Sequence, residues 1–150
     1  MRNLMEDKEL LLRDLCSRLP YGVKCQIDIG DADVYVDTLT NITTDGFVSF
    51  METIDTEDVL GYGNIKPLLF PMSSMTEEQR IEASLELGLK KYTINIFGDI
   101  ESYSEIGDDI AYIDIESINR YINWCYKNHI DINNLIPKGL ANDVTNLNIY

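Results

Sequence analysis

A chain of 150 residues, 45% of them hydrophobic, is the length of one ordinary domain and too apolar for disorder. Its net charge of −14 repels phosphate backbones at long range and disfavours direct DNA or RNA binding, which draws its affinity from displaced counterions. No run approaches the 18 apolar residues a membrane-spanning helix needs, and the charged start "MRNLMEDKELLLRDL" does not resemble a secretory signal.

In chain order, Leu4, Leu11, Leu12, Leu15 and Leu19 fall near helical spacing with Asp7, Lys8, Arg13 and Asp14 between them. This predicts an amphipathic helix of about four turns, with Arg18 favouring its C-terminal dipole and Pro20 and Gly22 ending it. "VKCQIDIG" alternates, placing Val23, Cys25, Ile27 and Ile29 on one face of a half-buried strand. "GDAD" turns the chain into a second strand, "VYVDTLTNI", and "TTDG" is a hairpin signal before a third, "FVSFMETI". Short turns between three strands predict an antiparallel meander, to which "VLGYGNI" adds a short fourth strand.

"KPLLFPMSSMTEEQR" carries the chain from sheet to helix. Pro67 and Pro71 push Lys66 and Phe70 toward extended conformations and weaken any central-strand reading. Ser74 with Glu77, and Thr76 with Gln79, offer two overlapping capping boxes. A helix from about Glu77 to Leu89 follows, its buried stripe expected at Ile81, Leu85 and Leu89. "YTINIF" predicts a strand, "GDIESYSEIGDD" an acidic loop or irregular hairpin, and "IAYI" a short strand. Asp114 is the expected cap of a last long helix whose buried stripe is Ile115, Ile118, Ile122 and Cys125, with Tyr121 or Trp124 at its margin. Asp131 suits the cap of a short turn stopped by Pro137 and Gly139.

The cysteines Cys16, Cys25 and Cys125 form no CxxC pair. An odd count without an export signal predicts reduced thiols in a cytoplasmic protein, each read as a small core residue. His129 is the single histidine, so a multi-histidine metal site is excluded. Cys125 and His129 stand at i, i+4 on the predicted last helix, a spacing that allows a thiol–imidazole pair. Asp28, Asp31, Asp33 and Asp37 are rich in oxygen but do not follow the calcium-loop order. No phosphate-cradling GxGxxG or GxxxxGK[ST] loop and no GxSxG elbow is present; no cofactor is expected.

The charge is uneven. From Tyr92 to Asn119 there is no Lys or Arg, while Asp99, Glu101, Glu105, Asp108, Asp109, Asp114 and Glu116 all fall inside. Carboxylates so concentrated can occupy a partner's basic groove, so Asp99, Glu101, Glu105, Asp108 and Asp109 are the expected partner-binding residues. A small-ligand protein is the alternative: an oligomer that sequesters a nucleotide signal in a pocket between protomers, with Lys66, Arg80, Lys90 and Lys91 as local cations. A hydrolase using carboxylates or Cys125–His129 is a third.

"ELLLRDLCSRLPYGVK", "IKPLLFPMSSMTEEQ", "NHIDINNLIPKGLA" and "LNIY" together resemble a family of small hypothetical proteins of Bacteroides-group gut bacteria and of their phages and mobile elements. The resemblance covers both ends and the middle; about Asp31 to Tyr62 and Lys90 to Tyr112 are individual to this chain. It implies a cytoplasmic accessory protein acting on host machinery by binding rather than by catalysis. The combined expectation is one compact α+β domain over residues 1–150, an antiparallel β-meander packed against amphipathic N-terminal and C-terminal helices. Its expected role is a non-catalytic acidic protein that binds a host or phage protein, with neither nucleic acid nor membrane as a direct partner.

Overall fold

A computed structural model describes residues 3–28, 34–44, 47–52, 65–87, 92–94, 100–102 and 115–150. The fold is α+β. The chain divides into two compact units, Met1–Leu69 with Asn133–Tyr150, and Phe70–Ile132.

In the first unit, helix α1 spans Leu4–Arg18, and the side chain of its N-cap Asn3 accepts from the Met5 amide at 3.3 Å. Leu11 and Leu15 are buried against the sheet, whereas Leu4 is exposed. Full burial of one such leucine is worth about 2–3 kcal/mol. The helix gives way to a 3₁₀ turn, Leu19–Tyr21, and Gly22 turns the chain at φ 68°, a left-handed conformation that glycine adopts without a Cβ penalty.

Strands β1 (Lys24–Asp28), β2 (Val34–Ile42) and β3 (Val48–Phe50) form the expected antiparallel meander. Cys25 and Ile27 face the core with Val23, as the alternation requires. The β2–β3 register shifts between Leu39 and Asn41, a bulge at which the Thr40 hydroxyl donates to the Ser49 carbonyl at 3.1 Å. The expected fourth strand "VLGYGNI" falls mostly outside the described residues.

Strand β4 (Ile65–Leu69) corrects the reading of the proline-bracketed stretch. It lies inside the sheet, in the order β3-β2-β1-β4-β7, where β7 is Asn142–Asp143. The Leu69 carbonyl accepts from the Val144 amide at 3.0 Å, so residues 67 and 69 address β7 and residue 68 addresses β1. The missing N–H of Pro67 therefore falls on the β7 side, one residue before pairing with β7 begins at Leu68–Asn142. A proline is tolerated in an inner strand because the strand beyond it is only two residues long.

The second unit begins with a parallel bridge between Phe70 and Ile130. Phe70 donates to the His129 carbonyl at 2.9 Å, and the Asp131 amide donates to the Phe70 carbonyl at 2.8 Å. A 3₁₀ turn, Met72–Ser74, leads to helix α2, Glu77–Glu86. Of the two capping boxes, Thr76–Gln79 forms: the Gln79 amide donates to the Thr76 hydroxyl at 3.2 Å, and the Thr76 amide to the Gln79 side chain at 2.9 Å. Ser74 instead donates to the Pro71 carbonyl at 2.7 Å.

Helix α3 spans Ile115–Lys127; the expected cap Asp114 and the "IAYI" strand lie outside the described residues. Helix α2 presents a face other than that expected, whereas α3 keeps Cys125 buried and Ile122 against the core and loses Ile115 and Ile118 from its expected stripe. On α2, Ile81 and Leu85 are exposed, while Ala83 and Leu87 enter a core with Met75, Tyr121, Trp124 and Cys125. On α3, Ile115 and Ile118 are exposed, while Ser117, Tyr121, Trp124 and Cys125 are buried. Small Ala83 allows close approach, and Trp124 supplies more area than an isoleucine, so this pairing wins over the aliphatic stripes. Arg120 of α3 donates to the Glu86 carbonyl at 3.3 Å, satisfying an acceptor at the end of α2.

Candidate functional site

Part of the acidic segment is a hairpin. Strand β5 (Tyr92–Ile94) pairs antiparallel with β6 (Ile100–Ser102), with Glu101 opposite Thr93, and β5 lies against α2. Of the expected partner-binding residues, Glu101 is in β6, and Asp99, Glu105, Asp108 and Asp109 lie outside the described residues. In the same unit α2 adds exposed Glu77, Glu78 and Glu82, and α3 adds exposed Glu116. Glu116 forms a 3.1 Å ion pair with Arg120, whose side chain also donates to the Ser117 hydroxyl at 2.9 Å. Both partners are solvated, so this pair contributes little stability.

The other candidate side chains have structural employment. Asp37 accepts from the Thr38 amide at 2.7 Å through one carboxylate oxygen and from the Glu52 amide at 2.9 Å through the other. It thereby ties β2 to the chain leaving β3. Asp31 and Asp33 lie outside the described residues. Among the described residues no cluster of three or more His, Cys, Asp or Glu has the arrangement of a metal site. Arg80 donates to the Met75 carbonyl at 2.8 Å, Lys66 is half-buried in β4, and Lys90 and Lys91 lie outside the described residues.

Cys125 and His129 do not share a helix, because α3 ends at Lys127 and His129 turns left-handed at φ 59°. The His129 amide donates to the Tyr126 carbonyl at 3.1 Å and the Ile130 amide to the Cys125 carbonyl at 2.9 Å. This is a Schellman motif with its apolar contact made by buried Cys125 and Ile130. The i, i+4 spacing therefore spans a helix terminus, with Cys125 in the helix and His129 beyond its end.

Two arrangements escaped the sequence reading. Asp14, expected between the apolar positions of α1, and Arg18, expected to complement its C-terminal dipole, are completely buried. The Arg18 Nε donates to one Asp14 oxygen at 2.7 Å and its Nη2 to the other at 3.0 Å. Asn133 adds a 2.9 Å hydrogen bond to the same carboxylate. Burial pushes the neighbouring Cys25 thiol far up; Asp14 and Asp37 add to the shift and Arg18 opposes it. Cys25 is thus a neutral core thiol. Cys125 is buried too, whereas Cys16 is exposed, contrary to the expectation that all three pack in the core.

The second arrangement joins two strands through a phenol. The Lys24 amide donates to the Tyr150 hydroxyl at 2.9 Å, and that hydroxyl donates to the Leu68 carbonyl at 2.8 Å. Lys24 and Leu68 stand where the next rung of the β1–β4 ladder would fall, so the phenol replaces that rung. Burial raises the Tyr150 hydroxyl above its usual range, partly opposed by the Lys24 amide.

Among the described residues no helix is long and apolar enough to cross a membrane. The chain matches no protein-family model, and no curated protein or solved structure is significantly similar to it.

Proposed function

We propose that this chain is a non-catalytic acidic interaction protein of a phage or mobile element. It acts in the cytoplasm by binding a basic surface of a host or phage protein, in a counter-defence or regulatory role. The observation that carries the reading is charge: seven carboxylates and no Lys or Arg between Tyr92 and Asn119. The unit holding this segment adds exposed carboxylates on α2, so the local field steers a cationic partner. The binding residues are Asp99, Glu101, Glu105, Asp108 and Asp109. The resemblance to small proteins of phages and mobile elements supports the setting.

The test is a charge-neutralised chain carrying D99N, E101Q, E105Q, D108N and D109N. Native mass spectrometry of the wild-type protein, purified from its own host, identifies the bound partner and the stoichiometry. Binding of that partner should weaken in the neutralised chain and lose its salt dependence. Equal affinity and equal salt dependence in both chains would remove the acidic surface from the explanation.

A further inference from the structure

The outward face of α2 is unusual for a solvated helix. Glu78, Ile81, Glu82 and Leu85 stand at i, i+3, i+4 and i+7, and all four are exposed. Ile81 is 54% and Leu85 66% accessible, while Ala83 and Leu87 on the opposite face are buried in the core. The helix therefore does not need Ile81 or Leu85 for its own packing. Its helical state is secured from elsewhere, by the Thr76–Gln79 capping box and the Arg120 hydrogen bond to the Glu86 carbonyl.

The charge beside the apolar pair has one sign. The one basic residue of the helix, Arg80, sends its guanidinium back to the Met75 carbonyl. Glu77, Glu78 and Glu82 remain in solvent around Ile81, with no cation interleaved among the described residues. An isolated solvated helix gains from opposite charges four residues apart. This one has Glu78 and Glu82 at that spacing, a repulsive pair unless a cation comes from outside.

We infer that the Glu78–Ile81–Glu82–Leu85 face of α2 is a docking surface for a cationic amphipathic protein segment, one whose aliphatic residues cover Ile81 and Leu85 while its Lys or Arg residues pair with Glu78 and Glu82. This rests on the reading of the chain as a binding protein and adds to it an apolar anchor. The acidic segment steers a partner at long range; Ile81 and Leu85 supply the desolvated contact that charge alone lacks.

The probe is a fluorescein-labelled synthetic helical peptide of Leu and Lys, compared with its Leu and Glu counterpart, followed by anisotropy. Wild-type protein should bind the Lys peptide and not the Glu peptide. I81S/L85S leaves the net charge unchanged and should weaken binding about tenfold or more, because it removes two aliphatic contacts. E78Q/E82Q should weaken it too and flatten its salt dependence. V34S/V36S, which removes another exposed apolar pair, should bind like wild type. Failure to bind the Lys peptide overturns the proposal, as does equal affinity of I81S/L85S and wild type. If I81S/L85S binds normally while the chain neutralised at Asp99, Glu101, Glu105, Asp108 and Asp109 does not, this face fails and the acidic-segment reading stands. A wild-type dimer in sedimentation equilibrium that I81S/L85S dissolves would assign the face to a second copy of the chain and overturn the cationic partner.

Discussion

Lys24 holds Tyr150 at two points and its neighbour Ile149 at a third. The Lys24 amide donates to the phenol oxygen, its ammonium lies 5.7 Å above the centre of the Tyr150 ring, and the same ammonium donates to the Ile149 carbonyl at 2.7 Å. The phenol hydrogen goes on to Leu68, so the hydroxyl closes a gap between β1 and β4. Y150F keeps the ring and loses the bridge. It should cost about 1 kcal/mol, the net value of a hydrogen bond at a partly solvated site. Amide hydrogen exchange checks the mechanism: the Lys24 amide should exchange faster in Y150F, while Ile27, deeper in the same strand, keeps its wild-type rate relative to global stability.

The buried pair of α1 leads to a non-additive prediction. Removing Arg18 leaves the Asp14 carboxylate in the core with Asn133 as its remaining side-chain partner among the bonds described above. R18A or D14A alone should cost about 3–5 kcal/mol, because each leaves a buried charge without its bidentate partner. D14L/R18M removes both charges and fills the space with apolar atoms, so it should cost less than either single change. Urea unfolding of the three variants measures the coupling. Additive costs would show that the two residues act independently.

His129 occupies a conformation that usually selects glycine. The turn ending at Leu140 has the same pattern, with Gly139 at φ 71°, its amide donating to Ile136 and the Leu140 amide donating to Leu135, both at 2.9 Å. "NHI" and "KGL" are two sequences for one motif. H129A pays the left-handed penalty without the histidine side chain, while H129G loses the side chain without the penalty. H129G should therefore be more stable than H129A by about 1 kcal/mol, the reverse of their order within a helix. Thermal unfolding of the two variants decides this, and equal midpoints would remove backbone strain from the account of this terminus.

The helix faces test what periodicity carries and what it does not. Strand β1 keeps the alternation read from "VKCQID", with Val23, Cys25 and Ile27 buried, because a period of two is a local property of the chain. The second helix offers two stripes, Ile81–Leu85 and Ala83–Leu87, and only its neighbours decide between them. An aliphatic count favours the first; burial favours the second, where Ala83 meets a core containing Trp124. The burial of Asp14 and Arg18 was illegible for the same reason, since i, i+4 opposite charges are ordinary on a solvated helix. The acidic segment was visible as charge alone, and most of its expected binding residues lie outside the described structure. L87A should cost about 2–4 kcal/mol through a cavity, whereas I81S/L85S should change stability by less than about 1 kcal/mol. A large loss in I81S/L85S would restore the aliphatic stripe as core and remove the docking face with it.

Cys25 and Tyr150 give the fold a defined response to alkali. Both ionise to anions, and burial raises both above their ordinary values of 9.0 and 10.0. In the unfolded chain each loses its proton near its ordinary value, while the folded chain retains it. The unfolded state then binds fewer protons, so stability falls as pH rises. The contribution is complete below pH about 8, starts to fall near 9 as unfolded Cys25 ionises, and falls further above 10 with Tyr150. For fully buried Cys25 the limiting slope is about 1.4 kcal/mol per pH unit; for half-exposed Tyr150 solvent screening reduces the shift, so its decline spans a narrower pH range. C25A should lower stability at neutral pH through its cavity yet lose the decline that begins near pH 9. Urea midpoints at intervals from pH 7 to about 10.5 check this; an unaltered decline in C25A would assign the alkaline response to groups other than this thiol.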